Sequence, residues 1–347
     1  MYPAHLKMIR TKFGNHFQVS APRAVNKLIK SLLVGLGLIR RGLLRAVNRY
    51  SAVNGGVNSL TVTKKGYFEG WYFKQTCNGR TVAFIPGVQR DNTGWRYAFI
   101  QVITNETSHI IRYPYRCFYA DPKRLCIRIG QNVFSEKYMA LHIQRPGFYC
   151  RGKIRFGACT PVKYDIMGPF ALLPGMECRH GIISMWHTTA GNLSINGEKL
   201  SFDKGKGYIE KDWGHSFPQT YTWVQCNDFK EKAGVFAAVA QIPVGRFSFQ
   251  GVIAAVYWRG KEYRFATYNG GKVLYCQGGL IVLQRGKYVL QIAAEKGKAH
   301  PLAAPKKGKM CRTVRERLSC PAQFILYRGK QKVFELHSQA ASFECGG

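Results

Sequence analysis

From about Gly66 to the C-terminus, glycine, proline and asparagine cut the chain into short β-prone runs spaced by roughly ten residues. Thr81 to Ile85 precedes Pro86-Gly87, and Trp95 to Ile103, Leu125 to Ile129, Val235 to Ile242, Phe247 to Trp258, Gly279 to Leu283, Tyr288 to Ala294 and Phe324 to Tyr327 follow in the same style. No helical period survives across this stretch, so the spacing predicts an all-β barrel or sandwich. Several runs are apolar on both alternating faces. In Phe247-Ser248-Phe249-Gln250-Gly251-Val252-Ile253-Ala254-Ala255-Val256 neither parity is consistently polar, so both faces of such a strand are covered. In a barrel this means an exterior packed on something and an oily interior of the kind that holds a ligand.

Glycines at Gly191, Gly197, Gly205 and Gly207 suggest a seam between two β units, although no internal repeat is visible in the sequence. The expected organisation is an extension at residues 1–58, a first β-barrel at 59–205 and a second at 206–347.

The extension differs in chemistry from everything after it, because residues 1–68 contain no Asp or Glu. Between Ala24 and Tyr50 the apolar positions Val25, Leu28, Ile29, Leu32, Leu33, Leu36, Ile39, Leu43, Leu44 and Val47 recur near helical spacing among lysines and arginines, which predicts a basic amphipathic helix. Ser51 to Asn58 reads as a linker. The uncharged stretch from Ser31 to Ile39 is short of the roughly twenty residues needed to span a bilayer. No small-residue cleavage site follows it, so secretion is not expected. A cytoplasmic protein lying peripherally on an anionic membrane, an organellar transit peptide and a basic tail packed on nothing all fit this segment.

The whole chain carries 52 Lys plus Arg against 18 Asp plus Glu, a formal charge of +34. That draws polyanions and anionic headgroups without conferring specificity, and no specific nucleic acid is expected as a partner. The eleven cysteines include no CxxC pair, which suggests free thiols rather than a disulfide framework or a zinc ribbon.

Three motifs concentrate chemistry. In Tyr67-Phe68-Glu69-Gly70-Trp71-Tyr72-Phe73-Lys74 a strand would put Glu69, Trp71 and Phe73 on one face and Phe68, Tyr72 and Lys74 on the other. In Gly207-Tyr208-Ile209-Glu210-Lys211-Asp212-Trp213, followed by Tyr221-Thr222-Trp223-Val224-Gln225, Glu210 and Asp212 would share a face with Tyr208, opposite Lys211 and Trp213. Paired carboxyls beside aromatic rings can hold one pKa high enough to donate a proton at neutral pH. The third motif, Glu177-Cys178-Arg179-His180-Gly181 with Trp186-His187, offers two imidazoles for proton transfer. As metal ligands Cys178, His180 and His187 lack paired spacing, and no metal or cofactor is expected. From residue types alone a second reading stands beside this one: the tryptophans fill a core, and the acids pair with the abundant Lys and Arg. No Gly-x-Ser-x-Gly elbow, P-loop or dinucleotide fingerprint appears in a suitable context.

The first two motifs, read as Phe68 to Lys74 and as Glu210 to Gln225, resemble the tocopherol cyclase family, with further likeness at Ala98 to Ile103, Glu177-Cys178, His180-Gly181, Met310-Cys311-Arg312 and Arg315-Glu316. The resemblance implies two consecutive lipocalin-like antiparallel β-barrels sharing an apolar cleft. It also implies a cofactor-independent cyclisation, in which an alkene of a prenylated hydroquinone is protonated and the phenol oxygen closes the ring. On that reading Glu210 or Asp212 is the proton donor with Glu69 in reserve, and His180 or His187 is the phenol base. Trp71, Phe73, Tyr208, Trp213, Tyr221, Trp223 and Gln225 then surround the substrate. The plant members carry Asn at the position of Asp212, which favours Glu210 as the acid. Leu336 and Ser342 stand where the family has glycines. The competing function is a lipid-binding or lipid-carrying barrel at a membrane surface.

Overall fold

A computed structural model describes residues 66–172, 176–244 and 247–347. The basic helix expected between Ala24 and Tyr50, and the linker after it, lie outside the described residues.

Two antiparallel sheets account for nearly all of the described residues. The first is 12-stranded and is built from β1 (Tyr67–Cys77), β2 (Arg80–Arg90), β3 (Arg96–Thr104), β4 (Ser108–Pro114), β5 (Phe118–Ala120), β6 (Cys126–Ile129), β7 (Asn132–Ser135), β8 (Tyr138–Arg145), β9 (Phe148–Phe156), β10 (Cys178–Ile195), β11 (Glu198–Ser201) and β12 (Gly205–Gly214). Its strands run in the order β4-β3-β2-β1-β12-β10-β9-β8-β7-β6-β5, with β11 on β10. The second is 10-stranded and contains β13 (Tyr221–Cys226), β14 (Ala233–Val244), β15 (Phe247–Trp258), β16 (Lys261–Ala266), β17 (Lys272–Gln277), β18 (Leu280–Arg285), β19 (Tyr288–Ala294), β20 (His300–Lys306), β21 (Lys309–Arg328) and β22 (Gln331–Gly346). Its order is β16-β15-β14-β13-β22-β21-β19-β18-β17, with β20 on β21.

The two orders are the same plan used twice. Four strands meander, a series of hairpins follows, and the last strand returns to lie beside the first, β12 on β1 and β22 on β13. The repetition resides in the pairing and leaves no trace in residue identity.

Each sheet curls around its own apolar core without closing. Trp71, Phe73, Phe84, Ile129, Phe134 and Ile154 pack inside the first, and Val235, Val256, Phe265, Leu290 and Phe324 inside the second. The closed barrels expected from the sequence are therefore open sheets. Their end strands are joined by single 3-10 turns, Tyr115–Cys117 between β4 and β5 and Thr267–Asn269 between β16 and β17, where closure would need a ladder.

The boundary expected at residue 206 also moves. β12 pairs with β1 and β10 and completes the first sheet, so the chain changes sheets between Gly214 and Tyr221. The glycine seam misled because Gly205 and Gly207 permit close approach inside a sheet: a Cβ on Gly207 would lie 2.1 Å from His187 Nε2.

The outer faces of the two sheets meet in a third core that includes Tyr72, Ile182 and Tyr208 from the first and Tyr221, Phe236, Ala255 and Val314 from the second. Buried polar links stitch them together. Lys74 Nζ donates to Gln225 Oε1 (3.1 Å) and to the Ala340 carbonyl (2.8 Å), and Gln101 exchanges two bonds with the backbone of Ala303 on β20. This layering explains the runs that are apolar on both parities, because one face fills a sheet's own core and the other packs on its neighbour.

Candidate active site

Strand alternation decides which acids meet. On β1 the even-numbered residues Phe68, Gly70 and Tyr72 face the second sheet, while Trp71 and Phe73 point into the first sheet's core. The ladder sets Tyr72 opposite Glu210, Gly70 opposite Asp212, and Asp212 opposite His180 on β10. One face of three adjacent strands thus presents Tyr72, Glu210, Asp212 and His180 outward.

These residues form one wall of a cavity between the sheets, with a volume of about 190 Å³ measured to the centres of water-sized spheres. A single water needs only about 10–15 Å³ of such space. Most of the remaining wall is apolar and includes Ile85, Phe99, Met167, Phe170, Phe217, Ile242, Phe249, Ile253, Leu302 and Met310.

His180 lies between two carboxylates. Its Nδ1 is 2.7 Å from Asp212 Oδ1, and its Nε2 is 3.3 Å from Glu210 Oε2, close enough for an ion pair but not aligned as a hydrogen bond. The ring stacks on Phe236 with centroids 4.6 Å apart. Burial opposes protonation of the imidazole, yet Asp212 and Glu210 together raise its pKa to about 10, so His180 is an imidazolium at neutral pH. Glu210 Oε2 also accepts from Tyr208 (2.6 Å) and Trp223 Nε1 (3.3 Å).

The second sheet supplies two more acids, Glu316 on β21 and Glu344 on β22, directly opposite each other in the ladder. Tyr72 Oη donates to Glu316 Oε1 at 2.5 Å, and Tyr221 Oη donates to Glu344 Oε1. Burial pushes Glu316 up to about 8, with the charge of Glu344 adding to it; burial pushes Glu344 up to about 7, with Asp212 and Glu210 contributing. Four carboxyls thus share the cavity with one imidazole. Ionising Glu316 and Glu344 together would put two adjacent negative charges beside Glu210 and Asp212 in a largely apolar enclosure, which low dielectric disfavours.

The remaining sequence candidates lie elsewhere. Glu69 is buried on the opposite face, where its carboxylate meets Lys211 Nζ at 2.6 Å and accepts from Tyr67 at 2.8 Å. Lys211 in turn lies over the rings of Trp71 (5.3 Å) and Trp213 (4.8 Å). For Glu69, Trp71 and Trp213 this is the arrangement of the core-and-ion-pair reading. Phe73 packs on Phe134. Gln225 holds Lys74 and, at 3.2 Å, Asn227. His187 sits near Ser184 Oγ (3.0 Å) and Phe156, and burial lowers its pKa to about 3. None of these six lines the cavity. Tyr208 reaches it only through Glu210, while Tyr221 and Trp223 line it directly.

Sequence reasoning passed over Glu316, Glu344 and Tyr72 as site residues. Only Glu344 carried a local signal, an acid closing the run Ala340-Ala341-Ser342-Phe343, whereas Glu316 stands between Arg315 and Arg317 like a surface acid.

His180, Glu210 and Asp212 each offer a ligand atom within 4.8 Å of the others. Both imidazole nitrogens face carboxylate oxygens, however, so a metal would have to displace a proton from one of them. The Cys178, His180 and His187 set is not assembled, since His187 pairs with Gly207 at the far end of the ladder from His180 and Asp212.

A buried acid–imidazole cluster in an apolar cavity suits proton transfer to or from a hydrophobic ligand. Comparison with known proteins gives it a context. A rice protein (Oryza sativa subsp. japonica) named "Probable tocopherol cyclase, chloroplastic" is 28% identical over 120 residues, 33% of this chain and 26% of that protein. The maize (Zea mays) chloroplastic tocopherol cyclase is 26% identical over 108 residues, 30% of this chain and 23% of that one. The matches therefore span only about a quarter of those relatives' length. Among solved structures, a Nitrosomonas europaea protein described as AttH overlays with a TM-score of 0.49 at 11% identity, covering 81% of this chain and 92% of that one. Kievitone hydratase from Nectria haematococca gives 0.45 at 13%, covering 85% and 94%. The tocopherol cyclase-like family model matches residues 147–347, more than half of the sequence, and the chain belongs to that family.

Proposed function

We propose that this protein closes a ring on a prenylated hydroquinone or a similar hydrophobic phenol, by protonating a side-chain alkene and letting the phenol oxygen capture the cation. The observation that carries this reading is the imidazolium of His180 held between Asp212 and Glu210 on the wall of a mostly apolar cavity. The apolar wall seats the prenyl chain and excludes water, which would otherwise quench a tertiary cation. The T-shaped pair of Tyr72 and Trp223, with centroids 5.5 Å apart, supplies ring faces for that cation. Glu210, held by bonds from Tyr208 and Trp223, is placed to receive the phenolic proton. A lipid carrier would need the apolar wall but not a buried cluster of acids, which are costly to desolvate.

The test is incubation with prenyl hydroquinones of several chain lengths in deuterated water. The expected result is a cyclised product of unchanged mass apart from one carbon-bound deuterium. Ligand recovered unlabelled and uncyclised at every chain length would reject the reaction and leave carriage as the function.

A further inference from the structure

Cyclisation by alkene protonation needs one group that donates a proton at neutral pH and another that accepts one. The cavity contains two kinds of carboxyl. Glu210 and Asp212 lie within ion-pair distance of the His180 ring. Glu316 and Glu344 face each other, and among the described residues neither has a cation within ion-pair distance. Glu316 is 2% exposed yet lines the cavity, and one of its oxygens is fixed by Tyr72. Trp223 lies edge-on to that same tyrosine and opposite Glu344 in the ladder.

Resting on the cyclisation reading above, we propose that Glu316, flanked by Glu344 and oriented by Tyr72, is the proton donor to the substrate alkene, and that Glu210 is the base. The O–H bond of Glu316 breaks as a C–H bond forms at the less substituted alkene carbon, leaving the cation on the tertiary carbon against Trp223 and Tyr72. The phenol oxygen then forms the C–O bond while its proton passes to Glu210. One proton leaves the protein and one returns, so the substrate is isomerised with no oxidant, reductant or water consumed. Exchange with solvent resets both carboxyls and brings deuterium to the donor in deuterated water.

The electrostatic surroundings support this division of labour. Glu316 faces Tyr72 and buried Lys74 on β1, Glu210 on β12 and Glu344 on β22. Glu344 faces Tyr221 on β13, Asp212 and Glu210 on β12, and Arg312 on β21. Burial and the like charge of Glu344 keep Glu316 protonated up to about pH 8, with Lys74 and the Tyr72 bond pulling the other way. Removing the charge of Glu344 should therefore lower the pH at which the donor is lost without removing the donor.

The experiment compares E316Q, E316D, E344Q and E210Q with the unaltered full chain, following product formation between pH 5 and 10 and binding of a saturated-chain hydroquinone that cannot cyclise. E316Q is expected to lose about 10²-fold or more in kcat, the usual scale for a general acid, while still binding the saturated analogue. E316D should recover part of the loss. In the unaltered chain activity should fall above about pH 8, and in E344Q the midpoint of that fall should move to lower pH, whatever the height of the plateau on the acid side. The E344Q shift also serves if E316Q fails to fold. Kcat of E316Q within tenfold of the unaltered chain, or an alkaline limit in E344Q that stays in place, would overturn the assignment of the donor. An unaltered chain that cyclises nothing overturns the reaction itself, so the two failures are distinguishable.

Discussion

Tyr72 on β1 and Glu316 on β21 are 244 positions apart in sequence and share a 2.5 Å hydrogen bond across the junction of the two sheets. The bond is buried, so neither partner can exchange it for water. In Y72F the ring and its packing on Trp223 remain while the donor is lost, leaving a carboxyl in an apolar enclosure with one contact fewer. The expected cost is about 1–3 kcal/mol in unfolding free energy. Because a bond to an ionised acceptor is stronger than one to a neutral acid, urea titrations should show a larger loss at pH 9 than at pH 6. Equal losses at both values would mean that Glu316 does not change charge between them.

The titrating groups pull stability in opposite directions at the two ends of the pH scale. Glu316 and Glu344 have folded pKa values of about 8 and about 7, raised from the ordinary 4.5, so their contribution is fully present below 4.5 and is lost as pH rises through 7 to 8. His180, raised from 6.5 to about 10, has the same sign: its contribution is whole below 6.5 and lost as pH rises through about 10. His187, lowered by burial from 6.5 to about 3, has the opposite sign, and its contribution is present above 6.5 and lost as pH falls toward 3. Melting temperature plotted against pH should therefore decline on both sides. H187Q should flatten the acid side and leave the alkaline side alone; an unchanged acid slope would assign it to other groups.

On the opposite face of β1 and β12, Lys211 and Glu69 form an ion pair with side chains 3% and 0% exposed. Losing one partner of such a pair costs more than losing both, because the survivor keeps an uncompensated charge. K211M is expected to lose about 3–5 kcal/mol, and E69Q/K211M to recover much of that loss. A double-mutant cycle by urea unfolding checks this; additive losses would show that the two groups are not coupled.

These two faces mark how far the sequence could be read. Alternation along β1 and β12 separated Glu210 and Asp212 from Lys211 and Trp213, and the ladder pairs them accordingly, Gly70 with Asp212 and Trp71 with Lys211. The sequence could not tell which face was the cavity, since both carry aromatic rings and acids. Tryptophan density drew attention to Trp71 and Trp213, whose face turned out to hold the Glu69–Lys211 pair and the first sheet's core. The cavity face is marked instead by Gly70 and Tyr72, which are less conspicuous. Glu316 and Glu344 were beyond reach for a different reason. Glu316 stands between Arg315 and Arg317, as a surface acid would, and Glu344 shares its strand with Glu335; only the register of β21 on β22, together with the packing of one sheet on the other, brings them to Tyr72 and Tyr221. The same limit applies to β12, whose partner β1 lies far away along the chain while its neighbour in sequence, β13, opens the other sheet.

The cavity depends on a glycine. Phe99 lies across Gly87, where a Cβ would come within 2.4 Å of the Phe99 ring and 2.8 Å of the Glu69 carbonyl. Phe99 is also part of the cavity's apolar wall. In G87A the backbone contact cannot yield cheaply, because β1 and β2 pair at this point, Gly70 with Gly87. The ring is the softer partner, and the open space beside it is the cavity. Overpacking of this kind costs about 1–3 kcal/mol, and here the strain should be relieved at the expense of ligand volume. G87A is therefore expected to bind an apolar fluorescent probe or a saturated-chain hydroquinone several-fold more weakly than its loss of stability alone would explain, with the deficit growing with chain length. Phe99→Leu in the same background should restore both binding and stability, since it removes the ring that the new methyl strikes. Restored stability without restored binding would mean that Phe99 had moved away from the cavity, and the wall would then have to be reassigned.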